Sequence, residues 1–239
     1  MHGKILRGSP SYDQSPRPHP TERHFVQPIA PFLNRVIHAD SVSFLPTLPS
    51  QSIDFVLTDP PYLVDYRPRD GRRCPGDISD YWLRPVFQEL YRVLKRDSFC
   101  ATFYGWPDID RFMSTWKECG FRPVSHLVWA KSHCSREGYT KGFHEVGYLL
   151  AKGKPPKPGS APPDVLPWKY TGNRHHTNEK PVIGMTPIIE AFSKPCDVVL
   201  DPFAGSGTTG LAANAAGRRF ILIEKMGHHC RVARKRLSV

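Results

Sequence analysis

The chain has no CxxC pair and no apolar run approaching the ~20 residues that a membrane-spanning helix needs. It also lacks, at its N-terminus, the unbroken apolar core of a secretory signal. An intracellular, cytoplasmic protein is therefore expected. The six cysteines (Cys74, Cys100, Cys119, Cys134, Cys196, Cys230) are scattered, which argues against a zinc ribbon and, at 239 residues, against a disulfide scaffold. Reduced thiols are expected instead. His133 beside Cys134 and the pairs His175–His176 and His228–His229 have no partners at metal-ligand spacing, so they read as surface histidines and no metal is expected.

What the chain has in excess is positive charge. Lys and Arg total 33 against 22 acidic residues, a formal net charge of +11. The basic residues gather in RPRDGRR (Arg67, Arg69, Arg72, Arg73), in KGKPPK (Lys152, Lys154, Lys157) and in RVARKRL (Arg231–Leu237). Such a balance suits a polyanionic partner, because neutralising phosphates releases counterions. From the first two clusters Arg67, Arg69, Arg72, Arg73, Lys154 and Lys157 are the candidate nucleic-acid-binding residues.

Residues 1–31 are proline-rich, polar and without periodicity, and read as a flexible arm. Residues 32–239 read as one domain. A second proline-rich stretch, Lys154–Pro167, reads as a surface loop. Elsewhere strand and helix signals alternate. RVIHAD (Arg35–Asp40), SIDFVLTD (Ser52–Asp59), SFCATFY (Ser98–Tyr104), VSHLVWAK, HEVGYLLAKG, DVVLD and RFILIE are strand candidates. Helices are predicted after Asp80, which would cap the face made by Leu83, Phe87, Leu90 and Leu94, and over Asp108–Glu118, Val182–Lys194, Ser206–Ala216 and the basic C-terminus. The alternation implies a mainly parallel sheet covered on both faces.

Two stretches carry chemistry. VVLDPFAGSGTTGLAA (Val198–Ala213) is a buried strand ending at Asp201, a glycine turn and a helix of small residues. There the backbone can approach a ligand closely. No lysine follows the last glycine, as a phosphate-cradling loop would require. One strand later FILIE ends at Glu224, placed to grip a ribose diol. A nucleoside whose tail carries a carboxylate fits this pair, and S-adenosylmethionine has that shape.

The second stretch, FVLTDPPYLV, drives an apolar strand into Asp59-Pro60-Pro61-Tyr62. An exocyclic base amine is a poor nucleophile because its lone pair is delocalised into the ring. A carboxylate accepting one N–H, with a backbone carbonyl accepting the other, pulls that nitrogen toward tetrahedral geometry. Prolines stiffen the backbone that aims the carbonyl, and a tyrosine face stacks a base flipped from the duplex. A strand ending in a Pro-Pro turn, with Asp59 capping nearby N–H groups, is the purely structural alternative.

Together the two stretches resemble the signature motifs of the beta-class DNA amino-methyltransferases, in which DPPY precedes DPF-G-G. Here Asp201 follows Asp59 by 142 positions. The likeness covers most of residues 35–237: ELYRVLKRDSFCATF resembles a family helix and strand, and HHTNEKPV resembles the family's HPTEKP, with Thr177 and Asn178 in place of its proline and threonine. The resemblance implies a Rossmann-like class I methyltransferase fold, with a seven-stranded, mostly parallel sheet, one antiparallel strand and a circularly permuted motif order. It implies S-adenosylmethionine as cofactor, held by Phe203, Gly205 and Gly207, with Asp201 and Thr208 supporting that loop and Glu224 on the ribose. Asp40 would face the adenine end and Lys180 the methionine end. It implies DNA as partner and a possible homodimer. The interval that holds target recognition in the family is short here, about residues 154–175. The expected activity is methyl transfer to the 6-amino group of adenine in DNA. The alternatives are cytosine N4, RNA or protein amide methylation, or a non-catalytic DNA-binding module.

Overall fold

The computed structural model describes residues 27–63, 79–134, 136–137, 139–169, 172 and 179–239. Ten strands lie in chain order: β1 (Arg35–His38), β2 (Ile53–Thr58), β3 (Leu94–Phe103), β4 (Arg122–Lys131), β5 (Arg136–Glu137), β6 (Lys141–Gly142), β7 (His144–Lys152), β8 (Val165–Trp168), β9 (Val198–Asp201) and β10 (Arg219–Glu224). The helices are α1 (Ser41–Phe44), α2 (Leu83–Val93), α3 (Ile109–Glu118), α4 (Val182–Phe192), α5 (Thr208–Ala215) and α6 (Gly227–Leu237).

Eight strands join one sheet in the order β1-β10-β9-β2-β3-β7-β4-β8, and β5 pairs with β6 as a separate ribbon. Within the large sheet β7 alone runs against its neighbours. The sheet thus has one strand more than the seven expected. The addition is β8, which overlaps the end of the stretch read as a loop, Lys154–Pro167. It pairs only with β4, and an edge position tolerates the Pro167 that would interrupt a central strand.

Both faces of the sheet's centre are buried, which is why Phe55–Leu57, Val198–Leu200 and Phe220–Ile223 are apolar without a break. In β10, Ile221 and Ile223 point into a core shared with Phe87 and Leu90 of α2 and Phe112 and Trp116 of α3. Phe220 and Leu222 point the other way, toward Met185 and Ile188 of α4, Ala212 of α5 and Ala233 of α6. Leu83, Val86, Phe87, Leu90 and Val93 form the single buried stripe of α2.

Two local expectations are corrected. Asp80 does not cap α2 with its side chain: its backbone carbonyl accepts from Leu83 N, and its carboxylate lies 3.7 Å from Arg111. Leu94 does not extend the helix face but opens β3, because the chain becomes extended immediately after Val93. At the N-terminal side the packed chain already includes residues 27–31. Gln27 N donates to Thr47 O, and Ile29 rests on the core. Residues 1–26 of the expected arm lie outside the described residues.

Among the described residues no helix is long and apolar enough to cross a membrane, and no group of His, Cys, Asp and Glu is placed to hold a metal ion.

Candidate active site

Parallel strands deliver their last residues to one edge of the sheet, and the two motifs meet there because β2 and β9 are neighbours. Thr58, the last residue of β2, donates from its Oγ1 to Asp201 Oδ1 at 2.9 Å. Asp201 also accepts from Phe203 N at 3.0 Å and from Thr209 Oγ1 at 2.7 Å, which ties the turn after β9 to the start of α5. Burial pushes the Asp201 carboxyl up to about 7 against the pull of these three donors.

The turn itself needs its glycines. Gly207 sits at φ +85°, a region costly for any residue with a Cβ, and an added Cβ would lie 3.0 Å from Ala233 Cβ. Gly205, Gly207 and Gly210 follow the spacing of a dinucleotide-binding turn. The third glycine serves packing, since a Cβ at Gly210 would come within 2.7 Å of Leu222 on β10. Glu224 stands at the tip of β10, beside Gly205. Its Oε2 accepts from Gly205 N at 2.8 Å and its Oε1 from Met226 N at 2.6 Å. Burial opposes its ionisation, but the hydrogen bonds from His229 and these N–H groups hold the carboxyl below the usual range. Asp40 follows β1, the neighbour of β10. It caps α1 through Val42 N at 3.0 Å and pairs with Lys225 at 2.7 Å.

The tetrapeptide forms the other half of the site. Tyr62 donates its hydroxyl to Asp59 Oδ1 at 2.7 Å, and Lys180 Nζ lies 2.6 Å from Asp59 Oδ2 and 3.3 Å from the Tyr62 hydroxyl. Pro60 is buried and Pro61 half-buried, and the chain turns away through Leu63 at φ +63°. Lys180 Nζ also lies 4.9 Å from the centre of the Phe103 ring, 5.4 Å from Tyr62 and 6.0 Å from Trp168, an aromatic lining that favours a cation. Glu145 extends the alternation of charge: it pairs with Lys131 and is attracted to Lys180. Burial raises the proton affinity of Asp59 despite the pull of Lys180, while Asp59 and Glu145 overcome the burial of Lys180 and hold it protonated.

A single cleft of about 420 Å³, its open mouth included, is lined by Asp59, Lys180, Phe203, Gly205, Ser206 and Thr208, among others. The tetrapeptide aspartate and the glycine turn therefore face one space. The residues of this edge fit S-adenosylmethionine: a glycine turn that admits a close-lying backbone, an acidic residue at the tip of the next strand, and the half-buried ring of Phe203, held edge-on by Trp82 at 5.0 Å.

Of the residues singled out from sequence, Asp59, Pro60, Pro61, Tyr62, Lys180, Asp201, Phe203, Gly205, Gly207, Thr208, Glu224 and Asp40 all come to this edge. Lys154 does not, and Lys157 follows it in the same loop. Ser98 pairs with Lys152, and Lys154 N donates to Asp97 at the opposite end of β3. That is roughly 17 Å down the sheet at about 3.3 Å per residue. Arg67, Arg69, Arg72 and Arg73 lie outside the described residues, as do Thr177 and Asn178.

Sequence reasoning missed four contributors: Phe103 and Trp168 beside Lys180, Glu145 behind it, and Arg236. From α6, Arg236 donates to Ser206 O and Ser206 Oγ, both at 2.8 Å, and pairs with buried Glu179 at 2.7 Å. Glu179 precedes Lys180, so the last helix joins the glycine turn to the segment carrying the lysine. Phe103, Glu145 and Arg236 lie within stretches quoted above without being singled out there, and only the fold brings the four together.

Known proteins agree with this geometry. A family described as DNA methylase, acting at N6 and N4 amino groups, matches residues 53–235. A protein of Escherichia coli (strain K12) named putative methylase YubD is 50% identical over 206 residues, covering 86% of this chain and 91% of its own. The DNA adenine methyltransferase YhdJ of the same organism is 29% identical, covering 85% and 82%. The fold matches the crystal structure of an M1.HpyAVI–SAM complex with a TM-score of 0.69 at 23% identity, over 86% of this chain and 99% of that one. An aspartate tetrapeptide and a glycine turn sharing one cleft, in a chain matched over most of its length, make this protein a member of the N6/N4 family of DNA methyltransferases, enzymes that take their methyl group from S-adenosylmethionine.

Proposed function

We propose that this chain methylates the 6-amino group of adenine in DNA, within a domain that takes in residues 27–31 as well as those from 32 to 239. The observation that carries the reading is the Asp59 carboxylate, hydrogen-bonded to Tyr62 and joined through Thr58 and Asp201 to the glycine turn. When bound, S-adenosylmethionine supplies an electrophilic methyl on a sulfonium. Phe203, Gly205, Gly207, Thr208, Glu224 and Asp40 are the residues that would hold it, with Asp201 fixing the turn and Lys180 at the methionine end.

The target adenine leaves the stack and lies against Tyr62. Asp59 accepts one amino N–H. An ionised carboxylate has about four lone-pair sites, enough to do so while retaining its bonds to Tyr62 and Lys180. The Pro60 carbonyl accepts the second N–H, and the nitrogen lone pair turns out of the ring. Transfer leaves that nitrogen with one proton too many. Asp59, whose proton affinity burial has already raised, takes it and releases it to solvent. Lys180 stays charged throughout and keeps Asp59 oriented.

An aspartate in the first position of the tetrapeptide, and the adenine methyltransferase among the relatives, support adenine over cytosine. Duplex DNA, RNA and protein are incubated with the cofactor in parallel, and the digested products are analysed by mass spectrometry. N6-methyladenine in the DNA arm alone is the expected result. N4-methylcytosine without it would overturn the base assignment, and product only in the RNA or protein arm would overturn the substrate. Asp59→Ala should abolish transfer and leave cofactor binding nearly intact. A native protein that neither transfers nor binds cofactor would be a non-catalytic DNA-binding module. Light scattering on the same preparation reads out the homodimer that the resemblance implies.

A further inference from the structure

Lys180 stands between two carboxylates, and only one of them belongs to the tetrapeptide. Asp59 holds it at 2.6 Å, and Glu145 of β7 attracts it as well. Glu145 is in turn paired with Lys131 of β4. Asp59, Lys180, Glu145 and Lys131 thus form a row of alternating charge whose two cations are shielded from water: the Lys180 side chain is 11% exposed and that of Lys131 5%.

Strand register builds this row. The β4–β7 ladder runs past Phe103, the last residue of β3 and the rim of the site, through Val128–Val146, Trp129–Glu145 and Ala130–His144. Residues directly opposite one another share a face of the sheet, so Glu145 lies on the face of Trp129, and Lys131, two residues on, lies there too. Lys131 also faces Trp168 across the β4–β8 pairing. The centre of the Trp168 ring is 4.8 Å from Lys131 Nζ and 6.0 Å from Lys180 Nζ, so two ammonium groups share one ring. Trp129 completes the wall. Its ring stacks on Phe103 at 4.2 Å, and its Nε1 donates to Gly184 O at 2.8 Å, which fixes the start of α4 just after Lys180. Gly147 leaves room for that ring, since a Cβ there would come within 2.9 Å of it.

Two cations in so poorly hydrated a space repel each other, and Glu145, attracted to both, offsets the repulsion. A contest results. Unopposed, Glu145 would draw Lys180 away from Asp59. Paired with Lys131, it leaves the Lys180 ammonium to the tetrapeptide. We propose that Glu145 and Lys131 are positioning residues for methyl transfer, a balanced pair that centres the Lys180 ammonium on Asp59 and so holds the carboxylate that receives the target amine. This role rests on the reading of Asp59 as the acceptor of that amine.

Glu145 raises the proton affinity of both Asp59 and Lys180, and Lys131 offsets the Glu145 charge. Tyr62 and Asp201 also interact with Asp59, and His144 with Glu145, and these three stay in place in the variants. The full-length protein is tested as Glu145→Gln, Lys131→Met and the double variant, through pH profiles of kcat/KM for duplex DNA. The acid limb reports Asp59 and the alkaline limb Lys180. Glu145→Gln should move both limbs to lower pH, because each group loses a neighbouring negative charge. Lys131→Met should move both to higher pH, each shift being about half a pH unit to one unit. The double variant should bring both limbs back close to those of the unaltered enzyme.

Carbon-13 titration of the Asp59 carboxyl in the free protein, assigned by its loss in Asp59→Ala, should show the same displacements. Limbs and carboxyl titration that stay in place in an active enzyme, whatever happens to kcat, would reduce the two residues to a structural ion pair and overturn the proposal alone. Should Lys131→Met fail to fold, the near-isosteric Glu145→Gln decides by itself. Failure of the unaltered protein to methylate DNA at all would sink the parent reading, and this one with it.

Discussion

Gly105 shows how strictly a single residue positions the tetrapeptide. A Cβ there would lie 2.3 Å from the Tyr62 carbonyl oxygen and 2.9 Å from Tyr62 Cβ, and neither neighbour is the free end of a flexible side chain. Gly105→Ala must therefore push Tyr62 and its loop away from Asp59. A displacement near 1 Å at a reacting group costs up to roughly a hundredfold in rate. The expected outcome is a fall in kcat of about tenfold to a hundredfold, with cofactor affinity nearly unchanged, read by steady-state kinetics and calorimetry. Protonation acts on the same carboxylate. Asp59 must be ionised to accept the amine, and burial raises its proton affinity, so activity should fall on acidification through a value above that of an ordinary aspartate. Lys180→Met removes the main opposing charge. The acid limb of the kcat/KM profile should then move to higher pH, and a limb that stays in place would contradict the role given to Lys180.

Among the elements, α6 is bound to the site by more than packing. Arg236, 13% exposed, holds the Ser206 carbonyl and pairs with Glu179, which is only 3% exposed. Removing one partner of a buried ion pair costs about 3–5 kcal/mol, most of it the penalty of the charge left behind. Arg236→Met should lower stability by that order and weaken cofactor binding together with it. Adding Glu179→Gln should restore much of the stability without restoring the cofactor affinity, since the turn still lacks its clamp. Additive losses in denaturant titrations of the single and double variants would remove the coupling. The basic terminal helix was legible in RVARKRL, yet which of its cations turns inward was not. Arg231, Arg234, Lys235 and Arg236 look alike in the sequence, and only the packing of Cys230 and Ala233 against the core decides which of them reach the turn.

Over the whole molecule, charge and topology give different instructions. The excess of 11 positive charges calls for a polyanion, and affinity for duplex DNA should drop steeply with salt. Were about six phosphates neutralised, the loss between 50 and 200 mM salt would be on the order of a thousandfold. Cofactor binding, which releases few counterions, should change little over that range, and salt titrations of both in one buffer test the contrast. Topology then decides where the cations stand: Lys154, with Lys157 after it in the same loop, follows the antiparallel β7 at the end of the sheet away from the tetrapeptide. The β4–β7 hairpin is what reaches the rim. Its place depends on the pairing of β4 with β7, a contact between segments that composition treats as unrelated strands.

By itself the sequence determined the chemistry. DPPY at the end of an apolar strand and a glycine turn at the end of another specify a carboxylate and a backbone cradle, because strand, stiffener and left-handed turn are local properties of the chain. RFILIE likewise reads directly as β10 with Glu224 at its tip. Only the tertiary structure decided which other groups share that space, namely Phe103, Trp168, Glu145, Glu179 and Arg236. Each reaches the site through strand order or helix packing across long stretches of chain, and distances of that kind are set by how the two cores fill rather than by any residue's neighbours in the sequence.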